Sequence, residues 1–316
     1  TRPAISPAIL PSIEFFVFLV PSWLSFDSLP HLAKPKAQMH WLFLSTILDF
    51  GFVQFFKLGQ RNGYYAPIVV TANYLTVAAS ISIYLLVTDS WHFPEGSVET
   101  GFITGFLFIS SMLLMNFALT IAPVGSVLSA FRMAIVVPVF FGVYLWNEPL
   151  ASTQAIGLLL ALLALVLMTP RTKTNARFTG IRGLVLLGLI CVWQGFSHTS
   201  LRSIHYQGLD DSFLQVLMMT GATAGLIGAI YILLKKRRPT SPAVKLGIFI
   251  GAYNAVALCV ILIALSKLPG TLFFPVMGCS VVLLDNLFAH FYWHEHLNRP
   301  AMAGVGIAVL SLALVV

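Results

Sequence analysis

The chain has 316 residues, 58% of them hydrophobic and only 9% charged, with a mean hydropathy of +0.89. A soluble domain carries about 25% charged residues, so this composition excludes a water-soluble globular protein. The net charge of +7 does not point to nucleic acid, because the basic residues cluster in short segments between apolar runs, where they orient a chain in a bilayer.

Taken in order, residues 1–38 form an atypical leader. Its apolar stretch Phe15–Val20 is short, and Pro3, Pro7, Pro11, Pro21, Pro30 and Pro35 punctuate it. Such a segment does not cross a bilayer. Met39 directly precedes the first clean span. The working protein is therefore expected to start near Met39, with the leader as upstream read-through or an interfacial segment.

Ten apolar runs follow, at 40–57, 65–87, 101–121, 125–146, 152–169, 182–204, 212–234, 245–266, 270–293 and 300–316. Runs of helix-spanning length without strict alternation predict transmembrane helices rather than barrel strands. The fold class is an all-α polytopic membrane protein.

The chain also repeats. Trp146, Glu148, Leu150 and Gly157 recur as Trp293, Glu295, Leu297 and Gly304 at an offset of 147, each set running from the end of one apolar run through a polar turn into the next. Ala118-Leu119 and Pro123 recur as Ala264-Leu265 and Pro269 at an offset of 146. The halves run over 39–170 and 182–316, joined by a basic loop at 171–181. Five spans per half is an odd number, so the second half enters from the opposite side. The expectation is a 5+5 inverted-topology repeat with its site near the midplane between the halves. Glu148 and Glu295, in their turns, are positioned to meet the positive N-terminus of the next helix and pin the hairpins. The basic loops 171–182 and 235–245 predict cytoplasmic placement for that side and both chain ends outside.

A charge at mid-bilayer costs about 2.5–3.5 kcal/mol on insertion scales and normally faces protein or a cavity. Asp49 in span 1, Arg132 in span 4 and Asp285 in span 9 are such charges. Two readings stay open. In one, Asp49 or Asp285 binds a cation or proton and Arg132 meets a substrate carboxylate. In the other, Arg132 pairs with an aspartate and fixes the bundle. Asn73, Tyr74, Gln194, Tyr253 and Asn254 are further candidates for cavity lining, against the alternative of interhelical hydrogen bonding. Gly101-x-x-x-Gly105, Gly221-x-x-x-Gly225 and Gly247-x-x-x-Gly251 are close-approach patterns that fit internal packing or a dimer face alike. Trp146, Trp193 and Trp293 read as interfacial anchors.

Catalytic signatures are missing from the sequence. There is no phosphate loop, no H-E-x-x-H, and the two histidines of His294-Glu295-His296 are wrongly spaced for one helical face. Cys191, Cys259 and Cys279 lie inside apolar runs with no paired spacing. No enzyme, metal site or cofactor is expected.

The Ala-Leu…Pro entry into span 4, the Glu-x-Leu turn before span 5 and their recurrence before span 10 resemble the EamA-type transporters of the drug/metabolite transporter superfamily. Phe56-Lys57-Leu58-Gly59-Gln60-Arg61, then Val69-Val70 and Asn73-Tyr74, and the stretch Pro138 to Glu148, are also similar to bacterial members. The resemblance covers 39–316. It implies a 5+5 bundle with a central cavity that moves small metabolites, such as amino acids or related compounds, by alternating access and often outward. Family members usually keep both ends in the cytoplasm, whereas the charge pattern here places them outside. The expected setting is a bacterial inner membrane, with a small-molecule substrate, protons and the lipid bilayer as partners and no nucleic acid. A non-transporting subunit of a membrane complex on the same fold is the alternative. Substrate identity, coupling ion and oligomeric state are left open.

Overall fold

The computed structural model describes residues 39–122, 124–168, 181–292 and 299–315. The leader 1–38, most of the 171–181 loop and the turn carrying Trp293 and Glu295 lie outside the described residues. Every regular element described is helical: α1 (Met39–Arg61), α2 (Ala66–Val87), α3 (Ser97–Ile121), α4 (Val124–Met133), α5 (Val136–Trp146), α6 (Ser152–Met168), α7 (Ile181–Tyr206), α8 (Phe213–Leu234), α9 (Ser241–Lys267), α10 (Gly270–Phe291) and α11 (Arg299–Val315), with a short 3₁₀ turn at Asp210–Ser212. Eight segments are long and apolar enough to cross a membrane, one of them made of α4 and α5 together; α6 and α11 are shorter apolar helices. The protein is a polytopic helical integral membrane protein.

Span 4, expected as one helix, is broken at Ala134–Ile135. Pro138 has no N–H to give the Ala134 carbonyl four residues earlier, and the Val137 N–H takes that carbonyl instead, at 3.1 Å. The break ends α4 just after Arg132, where a cation also favours a helix C-terminus.

The bundle is built on helices that bury themselves and helices that do not. α2, α8, α9 and α10 are mostly buried, whereas α1, α3 and α7 turn most of their surface outward. Phe43, Ile83, Leu184, Leu226 and Leu233 lie on the outward faces, each more than half exposed, as lipid-facing side chains are. Lipid tails offer helices no hydrophobic gain for associating, so close backbone approach carries more of the packing. That is where the glycine pairs lie. A Cβ on Gly101 would sit 2.7 Å from the Val216 carbonyl oxygen, and one on Gly105 2.5 Å from that of Thr220. On the far side of the bundle, a Cβ on Gly247 would sit 2.7 Å from the Val69 oxygen and one on Gly251 2.5 Å from that of Asn73. Gly221 and Gly225 meet α2 at Tyr74, Leu75 and Ala78 in the same way. All three patterns are therefore used inside the chain.

These contacts run α3 on α8, α9 on α2 and α8 on α2. The remaining packing pairs α1 with α9 and α10, α7 with α3, α4 and α5, α6 with α11, and α10 with α5, α6 and α11.

Candidate functional site

Two charged clusters lie inside the bundle, both bridging distant parts of the chain. The first centres on Asp285 of α10. Its Oδ2 accepts a hydrogen bond from Arg132 Nη2 of α4 at 2.8 Å, and its Oδ1 accepts one from Gln54 Nε2 of α1 at 2.6 Å. Lys57 Nζ, one turn beyond Gln54, stands 3.8 Å from the same Oδ1. The Asp285 side chain is 10% exposed, Arg132 20% and Lys57 27%, so the cluster is set within the bundle yet open on the side of its cations. Asp285 lies six residues before the end of α10, about 9 Å inside that end.

The second cluster centres on Glu148, at the opposite end of α10. The left-handed Asn147 (φ 52°, ψ 34°) ends α5, and the Glu148 N–H returns to the Gly142 carbonyl at 2.9 Å, a Schellman-type closure that asparagine tolerates. The closure turns the Glu148 side chain back over Gly142, where a Cβ would meet Oε2 at 3.0 Å. Oε1 then accepts Arg202 Nε at 2.7 Å and the Tyr206 hydroxyl at 2.9 Å, and Oε2 accepts the Thr271 N–H at 2.8 Å. Arg202 also donates to the Leu265 carbonyl, and Trp146 stacks on Tyr206 with ring centroids 4.6 Å apart. Burial alone would raise the Glu148 pKa; the Arg202 guanidinium and the N–H groups of Thr271 and Gly270 outweigh it and hold the carboxyl below its ordinary value.

The structure thus brings Arg132 and Asp285 together. Asn73 and Asn254 meet elsewhere, with Asn254 Nδ2 donating to Asn73 Oδ1 at 3.1 Å in a buried contact between α2 and α9. Tyr253 of α9 packs edge-on against Phe55 of α1, ring centroids 5.1 Å apart, six residues beyond Asp49 on the same helix. Among the described residues no hydrogen bond or ion pair joins Asp49 to the Asp285 cluster. Gln194 accepts from Ser111 Oγ at 2.5 Å and contacts His198 Nε2 at 3.1 Å, between α3 and α7. Tyr74 is 3% exposed and packs with Val70, Ile109 and Ala224 as core.

Three placements differ from the sequence reading. Glu148 caps α10, in the other half of the chain, rather than the adjacent α6. Arg202, at the end of the apolar run 182–204 where a basic residue reads as a loop charge, is 3% exposed and is the partner of Glu148. Lys57, the last residue of the apolar run 40–57, lies within α1, which continues to Arg61. Trp146 and Trp193 each have a partner within the chain, Trp146 stacking on Tyr206 and Trp193 Nε1 donating to Ser110 Oγ at 2.8 Å. Gln54 and Lys57 carried one usable signal, a three-residue spacing that puts both on one helical face.

No family model matches the chain. It is 22% identical over 280 residues to an uncharacterised protein of Haemophilus influenzae, covering 84% of this chain and 94% of that one. A solved crystal structure is similar with a TM-score of 0.70 at 15% identity, covering 88% of this chain and 96% of that one. That likeness is one of fold.

Proposed function

We propose that the protein is a secondary transporter of small metabolites, such as amino acids or related compounds, of the EamA type, exporting by alternating access between two inverted five-helix halves. The observation that carries this reading is the Asp285 cluster. Three helices that belong to different halves in the repeat send Gln54, Lys57, Arg132 and Asp285 to one partly open place within the membrane-spanning segments. Ionisable groups at that depth are costly and mark transport pathways.

The helix packing supports the repeat. Gly101 and Gly105 recur as Gly247 and Gly251 at an offset of 146, and the residues they touch, Val69 and Asn73 on one side, recur as Val216 and Thr220 at an offset of 147. Each half's third helix then packs on the other half's second helix by the same contacts, as a two-fold relation requires.

The test is uptake and efflux by the purified chain in proteoliposomes, with a panel of labelled metabolites and an imposed pH gradient. At least one small metabolite is expected to move against its gradient, and Asp49→Asn with Asp285→Asn is expected to abolish the response to pH. The full pairing of Glu148 with Arg202 favours a second reading, a rigid non-transporting subunit of a membrane complex. A folded, inserted chain that moves nothing in a broad panel would establish that one.

A further inference from the structure

The Asp285 cluster is unbalanced in charge. Lys57 and Arg132 bring two positive charges to one carboxylate, and among the described residues no second acid pairs with either. Among the described residues, the groups that meet Asp285 are Gln54 and Lys57 on α1 and Arg132 on α4. Asp49 lies eight residues before Lys57, about 12 Å along α1. The donors are unbalanced as well. Arg132 has five N–H groups and among the described residues gives one hydrogen bond, to Oδ2 of Asp285. Lys57, at 3.8 Å, is beyond hydrogen-bond distance of Oδ1. Both acceptor oxygens of Asp285 are already engaged, by Gln54 and Arg132. An excess positive charge with unspent donors is expensive within a membrane span.

We infer that the cluster is a binding site for a monoanion, and specifically for the carboxylate of a small organic acid that carries no ammonium group. The guanidinium fork of Arg132 matches a carboxylate in shape, and Lys57 adds a point charge beside it. One carboxylate neutralises the net +1. A zwitterion leaves that charge in place, and a phosphate dianion overshoots it. The inference takes up the site of the transporter reading and narrows its substrates from amino acids towards their deaminated relatives.

Equilibrium binding of radiolabelled L-lactate, glycine and inorganic phosphate to the full chain in detergent micelles, at constant chloride, tests this. Lactate is expected to saturate one site, with glycine and phosphate weaker by roughly tenfold or more. Arg132→Gln and Lys57→Gln are each expected to weaken lactate to a similar degree. Asp285→Asn, which raises the site's net charge, is expected to tighten it, a result that a damaged fold does not give. Should Arg132→Gln fail to fold, Lys57→Gln carries the test, because its contact with Asp285 is long. Glycine or phosphate binding as tightly as lactate, or lactate binding untouched by Lys57→Gln, overturns the assignment. Lactate binding without movement in proteoliposomes leaves the assignment standing and overturns transport; movement of zwitterions without lactate binding does the reverse.

Discussion

Glu148 shows how much a single buried charge can be asked to hold. Its carboxylate joins α5, α7 and the N-terminus of α10. Removing one partner from a buried pair costs about 3–5 kcal/mol, because the other charge stays behind uncompensated, whereas neutralising both costs far less. Arg202→Gln is therefore expected to lower the thermal midpoint in detergent strongly, and the double change Glu148→Gln with Arg202→Gln to recover a large part of it. A double variant no more stable than Arg202→Gln would contradict that. The pH dependence follows from the lowered pKa of the folded state. The pairing contributes its full stability above the ordinary glutamate range and loses it as pH falls through the depressed folded value. Acidification across that window is expected to lower the wild-type midpoint more steeply than that of Glu148→Gln. The sequence made Arg132 and Asp285 legible because charges inside apolar runs stand out. It hid Arg202 because a basic residue near the end of an apolar run looks like a flank. Its partner lies 54 residues away, a distance no local pattern reports.

At the scale of elements, the apolar runs and the polar turn at Glu148 were legible because spanning helices need a fixed length of hydrocarbon. The break in span 4 was not read, although Pro138 supplied its cause. A proline inside an apolar run leaves hydropathy unchanged and acts only through the carbonyl it orphans. The glycine pairs were visible, but their partners were not, since spacing shows a flat face and not what covers it. Gly105→Ala and Gly251→Ala are expected to lose about 1–3 kcal/mol each, the cost of overpacking against a backbone that cannot step aside. A Cβ at either would stand 2.5 Å from a carbonyl oxygen. Gly188 and Gly306 are helical glycines with nothing within 4 Å of an added Cβ. Alanine there is expected to be neutral or to gain up to about 1 kcal/mol through helix propensity. Unfolding in mixed micelles measures all four, and unequal losses at Gly105 and Gly251 would argue against matching packing in the two halves.

At the scale of the whole molecule, the two charge clusters sit near opposite ends of one helix. Thr271 and Asp285 are fourteen residues apart on α10, about 21 Å of helix rise. The Glu148–Arg202 side chains are only 2% and 4% exposed, against 10–27% at the Asp285 cluster. The bundle is thus tightly tied at the end where α9 turns into α10 and looser towards the end where Lys235–Arg238 follow α8. In a transporter, the tight tie has to release for access from its own side. Leu268, 7% exposed in the α9–α10 turn, reports on that end without taking part in the tie. With Cys191, Cys259 and Cys279 replaced by alanine, Leu268→Cys is expected to react slowly with a membrane-impermeant maleimide added to intact cells, and several-fold faster once Arg202→Gln is added. Arg238→Cys, on the basic loop that the charge bias assigns to the cytoplasm, is expected to react only after the membrane is opened. Reaction of Arg238→Cys from outside would invert the orientation. Reaction of Leu268→Cys that ignores Arg202→Gln would mean that the tie holds the bundle together without controlling access to it.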